Sequence, residues 1–118
     1  MYSVKVEEAF SAAHNLRGYK GKCEELHGHN WRVQAEAAKD KPDRAGMVLD
    51  FKDLKMKLNK ALEKLDHKHL NKLAYFKKVN PTSENIARYI YDSLKPQVFG
   101  LKSVTVWESE NSSATYQE

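Results

Sequence analysis

The sequence predicts an α+β fold, a four-stranded antiparallel sheet with two helices on one face, in the order β, β, α, α, β, β. Three observations carry this. Period-two alternation marks strands at both ends of the chain, two stretches of helical period fill its middle, and no repeat, linker or low-complexity tract interrupts the 118 residues. Residues 1–118 are therefore expected to form a single domain, a length that suits one hydrophobic core.

Each element follows from a local pattern. Tyr2, Val4, Val6 and Phe10 alternate with Ser3, Lys5 and Glu7, the signature of a strand with one apolar face. Asn15 to Glu25 carries Gly18 and Gly21 among scattered charges and reads as a loop. His27, His29, Trp31, Val33, Ala35 and Ala37 then share one parity, and Asn30, Arg32, Gln34 and Glu36 the other, which predicts a second strand. Lys39 to Gly46 reads as a turn. Asp50 as N-cap, with Asp53 in the first turn, opens a helix whose apolar stripe is Phe51, Leu54, Leu58, Ala61, Leu62 and Leu65. Pro81-Thr82-Ser83-Glu84 opens a second, striped by Ile86, Ala87, Ile90, Tyr91 and Leu94 and ended by Pro96. Leu101 to Glu108 returns to strand character through Val104 and Val106, and Ala114 to Gln117 supplies a short last strand.

Composition excludes several classes of function. No apolar run approaches the roughly 18 residues needed to cross a bilayer, and the first ten residues alternate apolar with charged, so a cytoplasmic protein without membrane contact is expected. The net charge of +4 arises largely from nine lysines between Lys52 and Lys78, most of which a helix would place opposite its leucines, on a solvated face. No aromatic interleaving or nucleic-acid motif accompanies them, so no nucleic-acid partner is expected, although a positive field suits a phosphorylated small molecule. Cys23 is the sole cysteine and cannot form an internal disulfide.

All five histidines fall in two clusters: His14, His27 and His29, then His67 and His69. Residues two apart in a strand point the same way, so His27 and His29 present both rings from the face that also carries Trp31 and Val33. His14 ends the preceding strand and can meet them across a hairpin pairing. Three imidazoles converging from strand ends match a catalytic zinc site with a fourth position left for water or substrate. A chance His-Gly-His pair in a sheet is the alternative.

Three further positions are chemical candidates. Cys23 admits three readings: an inert small hydrophobe, a fourth ligand closing a structural zinc site, or a reactive thiolate beside the metal. Its neighbours Lys22, Glu24 and Glu25 argue against burial. Asp66-His67, placed at the end of the first helix, sets a carboxylate beside an imidazole, a common arrangement for orienting a general acid or base, although adjacent helical residues diverge by about 100°. His69 lacks such a context and is assigned to the surface. Glu108 continues the apolar parity of Val104 and Val106, where an unpaired charge is costly to bury. It either lies at an exposed strand end or accepts paired N–H donors from a ligand.

Taken together, His14, the stretch Lys22-Cys23-Glu24-Glu25-Leu26-His27-Gly28-His29-Asn30, Gly46 to Leu54, Leu65 to Asn71, Asn80-Pro81-Thr82-Ser83-Glu84-Asn85 and Glu108 resemble, in order, the 6-pyruvoyltetrahydropterin synthase superfamily. The C-x-x-x-H-G-H spacing is similar to that of the bacterial 6-carboxytetrahydropterin synthases of queuosine biosynthesis. This resemblance implies the T-fold, whose trimers close a barrel and usually pair into hexamers with active sites between subunits. It also implies a lyase that converts 7,8-dihydroneopterin triphosphate to 6-carboxy-5,6,7,8-tetrahydropterin, releasing acetaldehyde and triphosphate.

The same resemblance implies residue roles. Zn2+ is held by His14, His27 and His29, and Cys23, Asp66 and His67 move protons. Glu108, counted with the catalytic residues, anchors the pterin ring, helped by Thr82, Ser83 and Glu84. Arg17, Lys20 and Lys22 are only nearby candidates for the triphosphate. One alternative is a 6-pyruvoyltetrahydropterin synthase. Another, of a different class, is a non-catalytic zinc-stabilised binding module that holds an acidic partner or RNA on its lysines.

Overall fold

A computed structural model describes residues 1–18, 21 and 24–118 of the chain. Two long strands, β1 (Tyr2–His14) and β2 (His27–Lys39), form an antiparallel hairpin. Helix α1 (Phe51–Leu62) follows, then a two-residue strand β3 (Lys68–His69), a 3-10 turn (Leu70–Lys72), a short helix α2 (Ala74–Lys78) and helix α3 (Ser83–Leu94). Strands β4 (Leu101–Ser109) and β5 (Ser112–Gln117) complete the chain. The sheet order is β3-β1-β2-β4-β5, antiparallel throughout except that β3 runs parallel to β1.

The expected order of four main strands and two long helices is present, with β3 and α2 as additions. Neither has a pattern that a sequence reading detects. A two-residue bridge is too short to alternate, and a five-residue helix is shorter than an independently stable one. Both depend on burial of Leu70 and Phe76, each fully inaccessible to solvent. Helix α1 is also shorter than its apolar stripe, because the chain turns after Leu62 and delivers Leu65 to the core from a turn. Phe51, assigned to that stripe, is instead 56% exposed. Lysines 64 to 78 consequently lie on turns, β3 and α2 and not on one helix face, yet they remain solvated.

The caps are the expected ones. The Asp50 carboxylate accepts the Lys52 N–H at 2.8 Å, and the Thr82 hydroxyl accepts the Asn85 N–H at 3.1 Å. Leu54, Leu58 and Ala61 of α1 and Ile86, Ile90 and Leu94 of α3 pack onto the sheet face made by Val6, Phe10, Trp31, Val33, Val104 and Val106. Each valine, leucine, isoleucine or phenylalanine among them contributes about 1.5–3 kcal/mol on burial. Phe10 and Trp31, opposite one another in the hairpin register, stack with ring centroids 5.9 Å apart and fix the core at the end of the sheet that carries the histidines.

The other sheet face is polar. Ser11 Oγ meets Asn30 Oδ1, Thr105 meets Thr115, and Arg32 pairs with Glu7 while lying over the Trp107 ring. At the end remote from the histidines, Gly100 adopts a φ of +85°, and a Cβ there would stand 2.7 Å from the Ala38 carbonyl oxygen, so this turn requires glycine. No helix among the described residues is long and apolar enough to cross a membrane.

Candidate metal centre and active site

The hairpin register sets His14 opposite His27 and Ala12 opposite His29, so three rings meet at the end of β1 and β2 on the helix-covered face. Ring centroids are 4.6 Å apart for His14 and His27, 5.2 Å for His14 and His29, and 4.8 Å for His27 and His29. Trp31 closes the floor of this cluster, 4.9 Å from His14 and 5.1 Å from His29, with its indole N–H held by the Ala12 carbonyl.

Main-chain carbonyls orient two of the rings. His14 Nδ1–H donates to the Pro81 carbonyl and His27 Nδ1–H to the Glu25 carbonyl, both at 2.7 Å. A neutral imidazole that donates from Nδ1 presents a lone pair at Nε2. The Nε2 atoms of His14 and His27 accordingly face each other at 3.0 Å. His29 Nε2 is buried and has no hydrogen-bond partner. Glu108 Oε1 lies 2.8 Å from it and 3.5 Å from His14 Nε2, close enough for charge attraction but without hydrogen-bond alignment to His29.

These four donor atoms all lie within 4.8 Å of one another, and the group could hold a metal ion. A tetrahedral ion with bonds of about 2.0–2.1 Å to nitrogen separates its ligand atoms by roughly 3.3 Å, so the observed spacing and the donor set fit such an ion. Burial, above all, holds the His14 imidazole below its ordinary value of 6.5; His27 and His29 act in the same direction, while the Pro81 carbonyl and Glu108 oppose it. The neutral ring is the form that binds metal.

From the sequence, Glu108 either lies at an exposed strand end or accepts hydrogen bonds from a ligand, and neither expectation includes the histidines. The structure brings it into their group because it lies one residue beyond the last β2–β4 pair, Arg32 with Trp107, where β4 runs beside His29. Its side chain keeps 35% of its surface exposed, so the carboxylate borders both the histidine cluster and solvent.

Asp66 and His67 are not at a helix end, as the sequence reading had them, but in the turn after α1. His67 takes a left-handed φ of 59°, the only described non-glycine residue with a positive φ. This conformation lets the two side chains meet, His67 Nδ1 lying 3.1 Å from Asp66 Oδ1, which helical neighbours could not do. The corner is fastened to β1 twice: the Ser11 N–H donates to Asp66 Oδ1 at 2.9 Å, and the His67 N–H donates to the Ser11 carbonyl at 2.6 Å. The Ser11 N–H, more than the His67 charge, holds the Asp66 carboxyl below its ordinary 3.8 against an opposing effect of burial. His67 is 82% exposed and lines a depression of about 560 Å³, which His29 also borders, with Ser11, Ala13 and Asn30. Strand alternation sets those three residues on the polar face, away from the histidine cluster.

Thr82, Ser83 and Glu84 form the start of α3, next to the Pro81 carbonyl that holds His14. Arg17 donates from one guanidinium nitrogen, Nη2, to the Phe76 and Val79 carbonyls at 2.6 and 3.0 Å. His69, assigned to the surface, is half-buried with Nε2 3.4 Å from Asn15 Oδ1. Cys23, Lys20 and Lys22 lie outside the described residues. Neither the Glu25 carbonyl, two residues from His27, nor the Pro81 carbonyl, 67 residues from His14, is legible in the sequence, since no residue pattern shows where a main-chain carbonyl is aimed.

Known proteins match this sequence and fold along nearly the whole chain. The sequence profile of the family described as 6-pyruvoyl tetrahydropterin synthase matches residues 3–118. A putative 6-carboxy-5,6,7,8-tetrahydropterin synthase of Archaeoglobus fulgidus is 39% identical over 108 residues, covering 92% of this chain and 89% of that protein. The 6-carboxy-5,6,7,8-tetrahydropterin synthase of Synechocystis sp. is 39% identical over 122 residues, covering 98% of this chain and 93% of its own length. The solved structure of Caenorhabditis elegans 6-pyruvoyl tetrahydropterin synthase superposes with a TM-score of 0.90 at 30% identity, covering 99% of this chain and 95% of that one. The architecture is thus the T-fold, and the chain belongs to the 6-pyruvoyl tetrahydropterin synthase family.

Proposed function

We propose that this chain is a zinc-dependent lyase, a 6-carboxy-5,6,7,8-tetrahydropterin synthase acting on 7,8-dihydroneopterin triphosphate in queuosine biosynthesis. The observation that carries this is the cluster of three inward-facing Nε2 atoms, whose donor chemistry fits zinc, in a chain 39% identical to relatives of that name. Bound zinc supplies Lewis acidity toward the hydroxyls of the substrate side chain. His14, His27 and His29 hold it, and the Pro81 and Glu25 carbonyls keep two of those rings in the binding tautomer. Glu108 accepts the paired N–H donors of the pterin ring, and Thr82, Ser83 and Glu84 complete the ring's pocket. Cys23, as thiolate, takes a proton from the side-chain carbon, and Asp66 with His67 relays protons at the opposite side.

A single copy of the chain does not form the complete site in this proposal. His67 lies beside Ser11, Ala13 and Asn30 of the polar sheet face, in a depression that His29 also borders, while the rings of the cluster point toward the helices, so in this proposal one substrate draws on two copies of the chain. The working unit is a homo-oligomer, a hexamer built from trimers, with each site between neighbours.

The likeness to the Caenorhabditis elegans protein favours a second reading, a 6-pyruvoyl tetrahydropterin synthase. Mass spectrometry of the products formed from the triphosphate substrate separates the two. Release of acetaldehyde with the 6-carboxy pterin is expected, and a 6-pyruvoyl product without acetaldehyde would reject the proposal.

A further inference from the structure

Past β3, the outer edge of β1 is paired by side chains. Ser11 exchanges hydrogen bonds with the Asp66–His67 corner, and Ala13 pairs with His69 of β3. Two residues further on, the Asn15 N–H donates to Asn71 Oδ1 at 2.9 Å and the Asn71 amide donates back to the Asn15 carbonyl at 2.8 Å. Two residues beyond that, the Arg17 N–H donates to Asn80 Oδ1 at 3.0 Å and the Asn80 amide donates to the Arg17 carbonyl at 2.8 Å. Each asparagine amide thus reproduces the paired donor and acceptor of a strand residue. The backbone itself cannot serve there, since residues 70–78 turn away into the 3-10 turn and α2. The ladder is itself anchored, because the Asn85 amide donates to the Asn80 carbonyl at 2.8 Å.

His14 sits within this ladder. The residue before it is held by β3, the residue after it by Asn71, and its ring by the carbonyl of Pro81, the residue next to Asn80. We infer that Asn71 and Asn80 are positioning residues for the metal ligand His14, acting as substitute strand residues that fix its backbone and the carbonyl orienting its ring. This rests on the reading of the histidine cluster as a metal centre. An imidazole tethered only by β2 pairing could swing by the few tenths of an ångström that metal geometry does not tolerate.

The test measures cobalt(II) bound to the full chain in place of zinc, by dissociation rate and visible d–d spectrum, with no reference to turnover. Asn71→Asp and Asn80→Asp keep the acceptor but set an oxygen against the Asn15 or Arg17 carbonyl. Each should speed cobalt release about tenfold or more and alter the d–d band. Val98→Ala, in the core at the far end of the sheet, should lower thermal stability while leaving both readings at the wild-type values. Should an Asp variant fail to fold, the milder Asn71→Ser and Asn80→Ser are measured in the same way. Folded variants with unchanged cobalt release and spectrum would overturn the inference, as would a Val98→Ala effect of equal size. If the wild-type chain binds cobalt no better than His27→Ala, the metal reading itself fails and the inference falls with it.

Discussion

His14 and His27 point their Nε2 atoms at one another across 3.0 Å, while each ring donates its Nδ1–H to a main-chain carbonyl. Two lone pairs aimed at the same point repel, and a cation between them turns that repulsion into coordination. His27→Ala should therefore weaken zinc binding by more than about 100-fold, measured as metal content after exhaustive dialysis against a chelator. A fully loaded variant would remove His27 from the metal shell.

Glu108 lies between two roles, one carboxylate oxygen 2.8 Å from His29 Nε2 and part of its side chain exposed. If it anchors the substrate, Glu108→Gln loses a charge-assisted pair of hydrogen bonds. KM should then rise about tenfold or more with zinc content unchanged. Loss of zinc in the same variant would assign Glu108 to the metal as its fourth ligand.

Replacing Cys23 by alanine separates a proton acceptor from a ligand. Removal of a general base should lower kcat by about 10²–10⁴-fold while stoichiometric zinc remains. Loss of metal and activity together would mean that the thiol closes a structural site.

The polar-face position of His67 bears on how the site is shared between copies. His27→Ala and His67→Ala should each be inactive alone. Dissociated and reassociated as an equal mixture, they should recover about a quarter of the wild-type activity, because one in four neighbouring pairs combines an intact cluster with an intact His67. No recovery in a demonstrably mixed oligomer would place the whole site within one chain.

Asp66 offers a pH signature. Its carboxyl is held below 3.8 in the folded chain, chiefly by the Ser11 N–H, so the unfolded chain binds a proton before the folded one as pH falls. The stabilisation is fully present above pH 3.8 and is lost as pH drops through the lower folded value. Metal-free wild-type protein should melt above metal-free Asp66→Asn at pH 7, and that gap should close below pH 3.8. A gap independent of pH in thermal melts would mean that the Ser11 bond does not depend on the carboxylate charge.

The three long strands and both long helices are legible in the residues because each depends on a repeating local pattern. Val6 and Phe10, Trp31 and Val33, and Leu54 and Leu58 repeat at the period of the element that buries them. The His27-Gly28-His29 spacing is equally local, since alternate strand residues share a face wherever the strand lies. The Asp66–His67 contact is less so, because it depends on a left-handed turn that no short pattern around it specifies.

Other features depend on residues distant in the sequence. The Leu70 and Phe76 environment that supports α2, the Glu108 approach to His29, and the Pro81 carbonyl on His14 all require segments brought together only when the helices settle on the sheet. Periodicity records which face of an element avoids water. The direction of one carbonyl or carboxylate is set by packing across the whole chain, so the ligand types could be named from the residues while their orientation was decided by the fold.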